Sequence, residues 1–185
     1  MTNGSSCRLT LLIALTAGLA RPAPSPATPR RSARALLRTA EAAAKAANRN
    51  VLVIFDASWC AWCRTLDDFI GATPTFGDAF TILRLDVDED AAHVSQQTPG
   101  GALLMHRLGG STSLPFLAIL RPSGKPVITS DRTPSPRSNI GYPVKPDEVA
   151  WFERMILLGA PTLSQSERDG IARGLIAFNR QRGLR

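Results

Sequence analysis

Residues 51–66 read VLVIFDASWCAWCRTL, and the rest of the chain is arranged around them. Val51–Phe55 is an unbroken apolar run rich in β-branched side chains, the composition of a strand buried on both faces. After Ala57 and Ser58 the period changes: Trp62, Leu66, Phe69 and Ile70 recur at helical spacing, and Gly71 offers a stop. Strand, tight turn and helix therefore follow one another, and Cys60 falls at the junction.

That junction has a chemistry of its own. The first N–H groups of a helix lack intrahelical acceptors, and the aligned peptide dipoles place partial positive charge there. A sulfur delivered to this end is favoured as a thiolate, so Cys60 is expected to titrate below the ~8.5 of a free cysteine. Cys63, one turn further in, can attack a mixed disulfide formed on Cys60, so the spacing supplies a nucleophile and a resolving thiol. The scheme requires that the two sulfurs meet and that the leading one can be reached from solvent.

The same pair could be half of a zinc ligand set, but the one further cysteine, Cys7, lies near the N-terminus, and His93 and His106 stand isolated in expected helices. Two thiolates also suit a copper(I) ion, which leaves a copper-binding or client-binding assembly factor without turnover as the alternative to an enzyme. Met105 and Met155 are distant from the pair in sequence. The redox reading needs no bound cofactor and no metal.

Downstream, Phe80–Val87 alternates as a second strand, and Asp88–Asp90 is a good start for a following helix. Residues 101–108, GALLMHRL, make a short apolar helix ended by Gly109 and Gly110. Leu114–Leu120 is a third strand, joined through the turn PSGK at residues 122–125 to a fourth at Val127–Ser130. Residues 131–146 hold four prolines and read as a loop, within which NIGYPVKP carries Tyr142 but no legible role. A helix from Asp147 to about Gly159 follows. Ser164 and Glu167 form a capping box that opens a last helix with Ile171, Leu175, Ile176 and Phe178 expected inward.

Upstream, residues 32–48 are Ala-rich and helical, with Leu36, Leu37, Ala40 and Ala44 on one face. The segment RPAPSPATPR at 21–30 cannot continue a helix and reads as an extended linker. Before it, residues 9–20 are an uncharged apolar run behind Arg8, long enough for a signal-peptide core and short of the ~20 residues that span a bilayer. Residues 1–20 are therefore expected to be a signal peptide, 21–31 a linker, and 32–183 the folded domain, with 162–181 an added C-terminal helix. Export to the periplasm or an equivalent compartment follows, with no stable membrane insertion once the leader is removed. The Arg-, Ser- and Ala-rich stretch beyond Arg21 keeps organelle targeting or a cytoplasmic location as alternatives.

The formal net charge of +7 is carried by the N-terminal region: residues 21–49 hold seven basic side chains against Glu41, Arg8 adds one, and the remainder is balanced. A nucleic-acid reader would carry its charge on the folded body, interleaved with aromatics, so no nucleic-acid partner is expected. Three cysteines are too few for a disulfide framework.

Taken together, VLVIFDASWCAWCRTL and, about fifty residues on, TSLPFLAILRPSGKPV resemble the thioredoxin superfamily, of an exported bacterial type, over roughly residues 33–158. The resemblance implies an α/β fold with a central mixed four-stranded sheet flanked by helices, plus the extra C-terminal helix. It implies thiol-disulfide exchange with protein substrates through Cys60 and Cys63, and a separate redox partner. It also implies that Pro115 is cis and lies beside the disulfide, with Leu114 presenting its backbone to an extended substrate.

Departures from the family pattern are equally specific. Ala61-Trp62 stands where Gly-Pro is usual, and Ile54 stands where the family has a buried acid six positions before the first cysteine. Asp56 is the nearest carboxylate; it is either a proton acceptor for Cys63 or a cap where the strand ends. Trp59 and Trp62 could form an apolar rim for clients, with core packing the other reading for Trp59. Arg64 reads as a solvated charge on the helix face.

Overall fold

The computed structural model describes residue 1 and residues 30–110, 113–132 and 139–184. Residues 2–29, which hold the expected leader and most of the linker, lie outside the described residues, as do 133–138 of the expected loop.

Ser32 opens α1 (Ala33–Ala46) by accepting the N–H of Ala35 on its side chain. β1 (Asn50–Asp56) then leads through residues 57–60 into α2 (Ala61–Gly71). A short helix, α3 (Thr75–Ala79), precedes β2 (Phe80–Asp86). Its five residues, TFGDA, carry no periodicity that a sequence reading could use. α4 (Gly101–Arg107) is followed by the hairpin of β3 (Phe116–Leu120) and β4 (Pro126–Thr129), and then by α5 (Pro146–Gly159) and α6 (Gln165–Gln181). The sheet order is β2-β1-β3-β4, with β1 parallel to β2 and antiparallel to β3, and β3 antiparallel to β4. This is the mixed four-stranded, helix-flanked sheet of a thioredoxin-like fold.

The period of two along β1 divides the core into layers. Leu52 and Ile54 pack with Leu66 and Phe69 of α2, Phe152 and Ile156 of α5, and Ile171 and Leu175 of α6. Val51, Val53 and Phe55 point the other way, toward Ala40 and Ala44 of α1 and Met105 of α4. β3 repeats the division, with Leu117 and Ile119 on the first side and Phe116, Ala118 and Leu120 on the second. With both faces covered, β1 has no polar side, which is why its sequence is continuously apolar rather than alternating. α5 comes close enough to β3 that a Cβ on Gly159 would lie 2.4 Å from Ile119 Cδ1, so a larger residue there would force Ile119 to shift.

Two expectations need correction. No helix starts at Asp88–Asp90: Asp88 adopts φ 55°, and only a single 3-10 turn, Val94–Gln96, follows. The carboxylate of Asp90 is spent on a local turn, accepting the N–H of Ala92 and of His93 at 2.9 and 3.0 Å, and His93 therefore sits in a turn rather than a helix. In α6, Ile176 faces outward while the inward position further along is the polar Asn179. Among the described residues no helix is long and apolar enough to cross a membrane.

Candidate active site

β1 ends at Asp56, and the chain turns through Ala57, Ser58 and Trp59 to place Cys60 as the N-cap of α2. Cys60 and Cys63 are joined, with an S–S distance of 2.05 Å and Cα atoms 5.3 Å apart. The Cys60 sulfur also accepts the backbone N–H of Cys63 at 3.1 Å. It thus fills the place of a capping oxygen and satisfies a helix donor that has no other acceptor. A negative charge on that sulfur would be stabilised by the same bond and by the helix dipole.

The leading sulfur is not open, however. Cys60 is 4% exposed and Cys63 3%, and the side chain of Leu114 packs over the pair together with Ala57. The Leu114–Pro115 peptide is cis. Leu114, at the expected substrate-facing position, is thus in contact with the cluster that holds both cysteines.

The turn before Cys60 is held from three sides. Glu89 accepts the backbone N–H of Ser58 at 2.9 Å and the Ser58 hydroxyl at 2.6 Å. Trp59 Nε1 donates to the Asp88 carbonyl at 2.8 Å, and Arg64 Nη1 donates to the Ser58 carbonyl at 2.8 Å. Arg64 is exposed on the helix face, as read from the sequence, and also ties the turn, while residues 88–89 serve the site instead of starting a helix. Trp59 and Trp62 are each 47% exposed, so core packing is not the role of Trp59.

Asp56 caps nothing. Its Oδ1 is buried without a hydrogen-bond partner, and its Oδ2 lies 3.8 Å from Arg84 Nη1, which also bonds Asp67. Burial first, and then the nearby Asp86 and Asp67, raise its pKa from 3.8 to about 7 against the opposing charge of Arg84. Of the two readings for this carboxylate, the strand-end cap is excluded by the missing bond.

The loop that had no legible role turns out to flank the site. Asn139 Nδ2 donates to the carbonyls of Ser113 and Pro115 at 2.9 and 3.0 Å, tying the loop to the segment around the cis peptide. Tyr142 stacks on Trp62, with ring centroids 5.8 Å apart and planes 13° apart. Between Trp62, Leu114, Ile140, Tyr142 and Val144 runs a groove of about 330 Å³. A larger cleft, about 450 Å³ between α5 and α6, is lined by charged residues including Glu153 and Arg168 and contains neither cysteine. Trp151, far from the pair in sequence, packs by donating its Nε1 to the Thr129 carbonyl at 2.9 Å. Among the described residues no group of three or more metal-ligating side chains converges. Met105 and Met155 are buried in different layers of the core, on opposite sides of the sheet.

Residues 33–122 match a family model described as thioredoxin-like. No curated protein matches the chain. Among solved structures, a disulphide isomerase from Xylella fastidiosa Temecula1 is 19% identical, covers 83% of this chain and 98% of its own, and superposes with a TM-score of 0.45. An oxidoreductase named DsbH is 16% identical over 79% of this chain and 94% of its own, with a TM-score of 0.41. Thioredoxin O2 from Arabidopsis thaliana in its oxidized state is 19% identical over 65% of this chain and 90% of its own, with a TM-score of 0.37.

Proposed function

We propose that this chain, which matches a thioredoxin-like family model over residues 33–122, is a member of the thioredoxin superfamily that exchanges electrons with protein thiols and disulfides through Cys60 and Cys63. The observation that supports this most directly is the Cys60 sulfur accepting the Cys63 N–H at 3.1 Å at the start of α2. A sulfur that is already a helix cap is a better thiolate and a better leaving group than one in water.

In the reducing direction the Cys60 thiolate attacks a client disulfide. The client S–S bond breaks, one client sulfur leaves as a thiolate, and the other stays bonded to Cys60. Cys63 then gives up its proton and attacks the Cys60 sulfur. The Cys60–Cys63 bond closes as the second client sulfur departs, so the client gains two electrons and the pair loses two. The oxidising direction runs the same steps in reverse. We assign to Asp56 the proton given up by Cys63, because a carboxylate raised to about 7 exchanges protons near neutral pH and its Oδ1 is unpartnered.

Trp59, Trp62, Leu114 and Pro115 form the surface against which the client lies. Its chain would run beside Leu114 and Pro115 in extended form, with apolar side chains in the groove next to Trp62. A separate redox partner supplies or removes the electrons, and no bound cofactor takes part. The reading carries with it an exported location for the mature chain, which N-terminal sequencing of the mature protein would check.

Insulin reduction by dithiothreitol, run beside a Cys60→Ser variant, tests the reading. Catalysis lost in the variant is the expected result. Equal rates would reject turnover by this pair, and stoichiometric copper uptake abolished by the same substitution would favour the assembly-factor alternative.

A further inference from the structure

α6 lies beyond the residues that match the family model, yet one of its side chains bonds the loop that carries Tyr142. Asn179 is 5% exposed. Its Nδ2 donates to the Pro143 carbonyl at 3.0 Å, and its Oδ1 accepts the Tyr142 hydroxyl at 2.6 Å. A buried amide engaged at both ends fixes two consecutive residues of the loop, because releasing either partner would strand a desolvated polar group.

Tyr142 passes that constraint on. The residue is 4% exposed, and its ring stacks on the indole of Trp62, one of the two residues between the cysteines. α6 is also tied to α2 itself, since Arg182 Nη2 donates to Asp68 Oδ2 at 2.7 Å and its guanidinium lies over Phe178, 4.7 Å from the ring centroid. The loop that carries Tyr142 and the helix that carries Trp62 are thus both referred to one element. An exposed indole without such a partner would sample several rotamers.

Resting on the reading of the pair as a client-facing disulfide, we propose that Asn179 is a positioning residue: through Tyr142 it fixes the Trp62 ring, and with it the groove beside Leu114 where a client segment lies. The C-terminal helix is then part of client recognition, although it contributes no atom to the chemistry.

The test uses the full chain. It has three tryptophans, hence three indole N–H resonances, and that of Trp62 is identified by its loss in Trp62→Phe. In Asn179→Ala the Trp62 resonance should move while those of Trp59 and Trp151 stay. The KM for insulin should rise roughly three- to tenfold, the range a net hydrogen bond supplies, with kcat and the rate on a small aromatic disulfide unchanged. Tyr142→Phe keeps the ring and removes the hydroxyl, so it should act in the same direction by less. Because the two residues act in series, the double variant should be no worse than Asn179→Ala alone. Should Asn179→Ala fail to fold, Tyr142→Phe carries the same two readouts.

An unmoved Trp62 resonance overturns the proposal, and so does equal slowing on insulin and on the small disulfide. If the unmodified protein turns over neither, the oxidoreductase reading falls, and the resonance alone then judges whether Asn179 positions Trp62.

Discussion

Asp56 and Asp86 are cross-strand partners at the carboxyl ends of β1 and β2, where the chain turns toward Cys60. Two carboxylates share one end of the sheet, and Arg84 is the cation that faces Asp56, at 3.8 Å. Burial is the largest cause of the rise in Asp56 from 3.8 to about 7, with Asp86 and Asp67 adding to it. A carboxyl whose folded pKa is raised binds its proton more tightly folded than unfolded, so stability falls as pH rises between about 4 and 7. Asp56→Asn should therefore be more stable than the natural chain above this window, by on the order of a few kcal/mol, and equal to it below. Urea unfolding across pH with the disulfide intact reads the gap. A gap that does not change with pH would show that Asp56 titrates normally.

Cys60 and Cys63 should behave differently despite equal burial. Alkylation of reduced Cys60 by iodoacetamide is expected to have a midpoint below the ~8.5 of a free thiol, because its sulfur accepts the Cys63 N–H at the head of α2. A Cys63→Ser variant has no resolving sulfur and should accumulate covalent client complexes that dithiothreitol releases. A midpoint at or above ~8.5, or no trapped client from an extract, would remove the distinction between nucleophile and resolver.

The fold was legible because its deciding features are local. A five-residue apolar run and a change of period are both read within Val51–Ile70, and the two-sided burial of β1 follows from the run having no polar alternation. Cys60 and Cys63 were legible for the same reason. The packing of Leu114 against the pair was not, since it depends on a segment about fifty residues away. Nor were Glu89, Asn139 and Asn179, whose partners lie 31, 24 to 26, and 36 to 37 residues distant. Asp88–Asp90 carried a helix-start signal and lost it to tertiary contacts, because Asp88 supplies its carbonyl to Trp59 and Glu89 its carboxylate to Ser58.

Leu114 packs against the cluster of Ala57, Cys60 and Cys63, and both cysteines are buried. Leu114→Ala removes atoms packed against the buried pair, so reduction of the disulfide by dithiothreitol should speed up several-fold, on the order expected when access limits thiol attack. The half-buried side chain also contributes packing, and its loss should cost about 1–2 kcal/mol in urea unfolding. Stopped-flow tryptophan fluorescence follows the reduction. An unchanged or slower rate would mean that the leading sulfur is reached by another path.

Glu89 is the last of these latches. Its two carboxylate oxygens accept the N–H and the hydroxyl of Ser58, while Trp59 bonds the neighbouring Asp88 carbonyl. Glu89→Ala frees Ser58 and loosens the turn that presents Cys60. The bonds are solvent-facing, so the loss should be near 1 kcal/mol, a fall in Tm of about 2–4 °C for a domain of this size. Acrylamide should quench Trp59 more strongly, measured against a Trp59→Phe control, since its indole would no longer be held to the 88–89 segment. The charge of Glu89 also raises the pKa of Asp86 and Asp56, so its removal should lower both. A melting temperature that falls while Trp59 quenching stays constant would show that Glu89 supports the fold without holding the turn.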